Sequence, residues 1–151
     1  MERLKVKRFR DVKLPTRTHE SDAGLDLYAP EDIVIPFGRR VKVPSGIGVA
    51  LPEGTVGLLF DRSSMGDKGI RTLGGVVDAN YRGEISVILA YVAGTRLEDG
   101  SIPLGEDYVD IKRGDKIAQF IITAAYTPEV LEVAEFETTD RGSKGFGSSG
   151  R

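Results

Sequence analysis

The sequence has no cysteine and a single histidine. Without cysteine, disulfides, thiolate zinc sites and thiol nucleophiles are excluded. One histidine, His19, leaves no histidine metal cluster and argues against a Ser-His-Asp triad. It sits in the polar stretch Thr18-His19-Glu20-Ser21 and reads as a solvated loop residue. Long hydrophobic runs are also missing: nothing approaches the ~20 apolar residues needed to span a bilayer. The first residues alternate charge with apolar side chains and show no signal-peptide core, so a cytoplasmic location is expected. Charge of one sign is lacking as well. With 21 basic and 23 acidic residues, the net charge of −2 is no nucleic-acid footprint. Neither nucleic acid nor membrane is an expected partner. A polyanionic ligand would have to be attracted by local groups.

What is present is ordinary in amount and distinctive in order. The chain has 151 residues, the size of one domain, with 40% hydrophobic and 29% charged residues. Such a length buries roughly 70% of the surface of the unfolded chain, so no staple is required. The pattern is β throughout. Leu4–Lys7, Ile33–Ile35, Val41–Val43, Ile47–Leu51, Val56–Phe60, Ile85–Leu89, Lys116–Ile122 and Val130–Val133 read as short strands, most of them punctuated by Pro or Gly. Many short strands joined by turns predict a sandwich, jelly roll or barrel. No stretch keeps a helical period for long, and one short helical turn is expected after Ser63-Ser64. Glycine is abundant, 19 residues, and clusters among polar side chains, as where backbone approaches a ligand. Residues 93–107 read as a long surface loop or hairpin. Residues 141–151 form a Gly/Ser-rich tail, so the expected division is a β domain over 1–140 and a flexible segment beyond it.

Four places combine residues suited to chemistry. The tail sets Gly142, Gly145, Gly147 and Gly150 among Ser143, Lys144, Ser148 and Ser149, beside Arg141, and can wrap phosphates with N–H groups and cations. Phe146 adds an aromatic that needs something to stack on. Asp61-Arg62-Ser63-Ser64-Met65-Gly66 follows an apolar strand and is either a phosphate cradle or an N-capped turn. Gly74 to Ile85 reads as a β hairpin with a carboxylate, Asp78, at one end of its turn and Tyr81 just past the tip. Either the two flank a nucleoside or Asp78 simply makes an Asx turn. Asp26 and Gln119 each place a polar group inside an apolar strand, where it must be paired.

In sequence order, AGLDLYA, DRSSMG, GVVDANYRGEI, GDKIAQ and RGSKGFGSSG resemble the five motifs of the trimeric dUTPase family, from about Ser21 to the C-terminus. The resemblance implies an all-β, distorted jelly-roll (β-clip) subunit that assembles as a homotrimer with shared active sites. It implies Mg²⁺-dependent cleavage of dUTP to dUMP and pyrophosphate, which limits uracil in DNA and supplies dUMP for dTMP synthesis. Asp78 matches the aspartate that activates the attacking water, and Tyr81 the aromatic that packs on the deoxyribose. Thr72, Gly75, Val76, Val77 and Ser86 fall where the uracil is read. Arg62, Ser63, Ser64 and Gln119 match phosphate contacts. Arg141, Phe146, Gly147 and Ser148 match a lid, with Phe146 on the base. Asp26 matches an aspartate that reaches the metal through water, the ion being otherwise held by the triphosphate.

The residues present can do this chemistry without histidine or cysteine. A carboxylate can take a proton from water, and phosphoryl transfer asks mainly for positioning and charge neutralisation. Three features depart from the family pattern: Asn80 in place of a second aspartate, Thr72 in place of an asparagine near the base, and the longer path through 93–107. The sister dCTP deaminases need a glutamate in the strand after the hairpin, where this chain has Ile88. A non-catalytic β-trimer that binds a nucleotide or a protein through 93–107 is the alternative from another class.

Overall fold

The computed structural model describes residues 3–92, 108–139 and 142–143. The 93–107 stretch and Arg141, Phe146, Gly147 and Ser148 therefore lie outside the described residues. In chain order the elements are β1 (Lys5–Arg8), β2 (Gly24–Tyr28), β3 (Ile33–Pro36), β4 (Arg40–Pro44), β5 (Ile47–Ala50), β6 (Thr55–Phe60), α1 (Ser63–Asp67), β7 (Ile70–Leu73), β8 (Val76–Asp78), β9 (Ser86–Tyr91), β10 (Tyr108–Ile111) and β11 (Lys116–Ala124). The all-β expectation holds, and the short helix expected after Ser63-Ser64 is present but already begins at Ser63.

Antiparallel pairing joins the strands into four sheets. The largest runs β2-β11-β6-β8, a second runs β4-β9-β7, and two pairs, β1-β5 and β3-β10, complete the jelly roll. Period-two patterning explains the packing. In β3, Ile33 and Ile35 point inward while Val34 is exposed. In β9, Val87 and Leu89 are fully buried. The inward residues of all sheets, with Leu27, Ile47, Ile117 and Phe120 among the most enclosed, form one core.

Two expectations are corrected. The run from Gly74 to Ile85 is not a closed hairpin. β8 pairs with β6, whereas β9 pairs with β4 and β7, so its two arms belong to different sheets. The chain changes sheet between β7 and β8, at Gly74 and Gly75, with φ of 72° and 138°. A Cβ at Gly75 would press on the Leu59 carbonyl at 2.8 Å, so only glycine fits both the dihedral and the contact. The Leu59 N–H then donates to the Gly75 carbonyl at 2.8 Å. Among the described residues, the outer edge of β8 and the β7-facing side of Ser86–Val87, which pair with β4 on their other side, have no strand partner, and this leaves main-chain donors and acceptors available.

Val130–Val133 is the second correction: it has the composition of a strand but forms none. Tyr126, Val130, Leu131 and Phe136 are 81–96% exposed. A strand needs a neighbour to pair with, and the described part of this chain offers none there.

Candidate active site

The residues singled out from sequence separate into two groups at opposite ends of β6. At one end, register sets Gln119 opposite both Asp26 and Phe60, so β2, β11 and the exit of β6 lie in one row. Asp26 is 8% exposed, and both of its oxygens are taken by cations. Arg62 Nε donates to Oδ1 at 2.8 Å, and Lys116 Nζ approaches Oδ2 at 2.6 Å. A buried carboxylate is tolerated only with such partners. Arg62 also reaches Ser64 Oγ at 3.2 Å, and Lys116 reaches Thr18 Oγ1 at 3.1 Å. Gln119 Nε2 donates to the Asp61 carbonyl at 2.7 Å. The pairing demanded of Asp26 and Gln119 by their apolar strands is thus met.

Asp61 does not cap the helix that follows. Arg62 occupies the N-cap, with no side-chain cap bond. The Asp61 carboxylate instead accepts the Thr72 N–H at 2.5 Å and pairs with Arg71 Nε at 2.7 Å. It ties the start of α1 to β7 and places Thr72 beside the Arg62 group. Lys116, Asp61 and Arg71 were not singled out for roles from sequence. A signal existed for Lys116, because a buried aspartate in β2 calls for a cation on the neighbouring strand. Nothing local marked Arg71.

The other end carries Asp78 and Tyr81. Asp78 closes the edge strand β8 and is exposed, and no described side chain forms an ion pair with it. The loop beyond it is held mainly through its backbone. The Tyr81 N–H donates to the Asp78 carbonyl at 3.0 Å, and Arg82 Nη1 donates to the carbonyls of Ala79 at 2.6 Å and Tyr81 at 2.9 Å. Tyr81 is 45% exposed, and the hydroxyl end of its ring lies against Gly83. Val76 is 70% exposed on the same edge strand, Val77 is buried, and Ser86 is half-buried. His19 is exposed, as expected of a loop residue.

The two groups are far apart within one chain. Asp78 lies opposite Val56 in the β6–β8 pairing, and Asp61 follows five residues along from Val56. At ~3.3 Å per residue the separation is roughly 16 Å. A cavity of about 450 Å³, lined by Asp11, Lys13, Tyr28 and Arg113 among others, opens beside Tyr28 and not at Asp78. Among the described residues no cluster of three or more metal-ligating side chains exists. Mg²⁺ prefers hard oxygen ligands and is commonly held by one or two carboxylates and substrate phosphates. The donor set here fits an ion that arrives with a polyphosphate, because Asp26 already has Arg62 and Lys116 on its two oxygens.

The match to known proteins agrees with this geometry. Residues 10–150 match the dUTPase family model. The deoxyuridine 5'-triphosphate nucleotidohydrolase of Mycolicibacterium vanbaalenii is 41% identical over 153 residues, covering 96% of this chain and 92% of that protein. Among solved structures, a mutant dUTPase of Staphylococcus bacteriophage 80alpha with dUpNHpp superposes with a TM-score of 0.85 at 29% identity, covering all of both chains. A mutant dUTPase of phage phi11 of S. aureus, whose structure concerns coordination of a structural Mg(II) ion, superposes with a TM-score of 0.77 at 29% identity, covering 91% of this chain and all of that one.

Proposed function

This chain belongs to the dUTPase family, and from that premise we propose that it hydrolyses dUTP to dUMP and pyrophosphate, with Asp78 activating the attacking water. The observation that carries the assignment of Asp78 is its exposed carboxylate at the end of an edge strand. Such a group is free to accept a proton from a water held in line with the α-phosphorus. The unpaired edge of β8 at Val76 and Val77, which Gly75 leads into, suits reading of a uracil edge by main-chain groups, with Thr72 and Ser86 as further contacts to the base. The exposed part of the Tyr81 ring suits packing on a deoxyribose. Arg62, Ser63, Ser64 and Gln119 bind the phosphates, and Asp26 with Lys116 holds the Arg62 guanidinium in place. Mg²⁺, bound with the triphosphate, supplies charge neutralisation at the phosphoryl oxygens. Arg141, Phe146, Gly147 and Ser148 in the 141–151 tail complete the site as a lid that excludes water out of line for attack. A cytoplasmic location fits an enzyme of the nucleotide pool.

The chain acts as a homotrimer with shared sites. Two features support this. The Asp78 and Arg62 groups lie a strand's length apart in one subunit, and a neighbouring subunit can bring the missing end to each site. The segment through Tyr126, Val130, Leu131 and Phe136 exposes more apolar surface than a lone subunit normally leaves in water, and a second copy of the chain would cover it. The deaminase alternative is disfavoured by Ile88, whose aliphatic side chain moves no proton.

Pyrophosphate release is measured from dUTP, dTTP, dCTP and UTP with Mg²⁺. Release from dUTP in strong preference to the others is expected, with no conversion of dCTP to a uracil nucleotide. No turnover of any nucleotide would replace the enzymatic reading with the non-catalytic one.

A further inference from the structure

Tyr81 is held by a chain of contacts that the hydrolysis itself does not use. Its hydroxyl donates to the main-chain carbonyl of Glu84 at 2.9 Å. Its ring lies so close over Gly83 that a Cβ there would overlap it. The residue that carries this carbonyl is anchored on two sides, through the Ile85 N–H of the same peptide group and through the Glu84 side chain. Oε1 accepts the Gly46 N–H at 2.7 Å, in the turn between β4 and β5. Arg10 closes on the same carboxylate, with Nε 3.2 Å from Oε1 and Nη2 3.2 Å from Oε2. The next residue continues the seam: the Ile85 N–H donates to the Ile47 carbonyl at 2.8 Å, and the Ser45 N–H donates to the Ile85 carbonyl at 2.9 Å.

The strengths of these links differ. Arg10 is 43% exposed and Glu84 23%, so water screens their ion pair, which adds little. The short bond from a main-chain N–H to a carboxylate is the stronger constraint. It joins the loop that carries Tyr81 to a turn packed into the core. A ring tethered at its hydroxyl, with that end against Gly83, cannot swing freely. Discrimination against one added hydroxyl depends on such stiffness, because a wall that yields by a few tenths of an ångström makes room for the oxygen.

We infer that Glu84 is a positioning residue for nucleotide selection: it fixes the tilt of the Tyr81 ring and thereby the preference for deoxyribose over ribose triphosphates. The inference rests on the reading that Tyr81 packs on the sugar. Glu84 touches no substrate itself.

The test compares kcat/KM for dUTP and UTP in the wild type and in Glu84→Ala, Glu84→Gln and Glu84→Asp. Glu84→Ala is expected to lower the dUTP-to-UTP ratio about tenfold. Glu84→Gln keeps an oxygen for the Gly46 N–H and is expected to hold the ratio within about twofold, since only the screened ion pair is lost. Glu84→Asp keeps the charge but is one methylene short of Gly46, so its ratio should fall in the same direction as with alanine. A merely structural role would slow both nucleotides equally and leave the ratio unchanged. That result in folded Glu84→Ala overturns the inference, and so does an unchanged ratio in Glu84→Asp should the alanine variant not fold. Failure of both to fold assigns Glu84 to stability and overturns it too. A wild-type protein that releases no pyrophosphate from dUTP defeats the functional reading instead. A wild type that prefers dUTP, beside a Glu84→Ala variant that prefers it equally, defeats this inference alone.

Discussion

The two ends of β6 solve the same problem, holding charged groups ready, by opposite means. Around Arg62 the holding is between side chains. Asp26, Lys116, Arg62 and Ser64 form one string of ion pairs and hydrogen bonds, while Asp61 fastens Arg71 and the Thr72 N–H beside it. Around Asp78 the holding is of the backbone, through Arg82, Glu84 and the edge of β8, and the carboxylate has no described ion-pair partner. The difference follows from the task of each end. Groups that meet a polyanion must be rigid and positive, and a fixed carboxylate beneath the guanidinium aims it while the second cation keeps the trio positive. A group that must take a proton from water is useless once it is committed to a cation, so its scaffold is held and its side chain left open.

That contrast can be broken by substitution. Asp78→Asn removes the proton acceptor from an end that depends on nothing else about this side chain. Its kcat should fall on the order of 10³-fold or more while the melting temperature stays unchanged. A parallel loss of stability would show that Asp78 is part of the scaffold. Arg62→Met, at the other end, should slow turnover about 10²-fold. Co-expressing it with Asp78→Asn sharpens the point. If the two ends of each site come from different subunits, random assembly leaves about a quarter of the sites intact, and activity returns to that level. Mixed protein no more active than either parent would put both ends of a site in one chain.

Smaller effects test the scaffolds. Lys116→Met leaves Asp26 with Arg62 alone and should cost about 1–2 kcal/mol in denaturant unfolding. Lys116→Arg should recover most of it, and a methionine variant as stable as the wild type would mean that Arg62 suffices. The smallest effect belongs to neither end. The Arg113 N–H beside Asp32, helped by the charge of Lys112, holds that carboxyl below its ordinary value of 3.8. The folded chain therefore binds this proton less readily than the unfolded one. The stability it confers is present above the ordinary value and is lost as pH falls through the lowered one. Asp32→Asn should melt slightly below the wild type at neutral pH, with the gap closing in acid. A constant gap would assign the effect to the hydrogen bond and not to the charge.

Much of the scaffold was legible because its causes are local. Period-two patterning marked β1, β3 to β6, β9 and β11, and the demand that Asp26 and Gln119 be paired anticipated the Arg62 group. The resemblance pointed to Asp78 and Tyr81, and no spacing rule would have raised them above an ordinary turn. Thr72 shows the limit of reading by position. What the fold uses is its N–H, held by Asp61 from eleven residues earlier in the chain, and side-chain identity does not encode that contact.

The amino-acid order by itself determined which residues face inward, where the chain turns and which side chains need a partner, since these depend on neighbours one to four places away. Only the tertiary structure decided which strands lie side by side. It sent β8 and β9 into different sheets where a hairpin was expected, and it left Val130–Val133 without a partner strand. It also placed Asp78 a strand's length from Arg62. The physical reason is that strand pairing is satisfied by any edge of matching register, however distant in sequence. The choice among edges is made by packing of the whole core, which no single stretch of the chain contains.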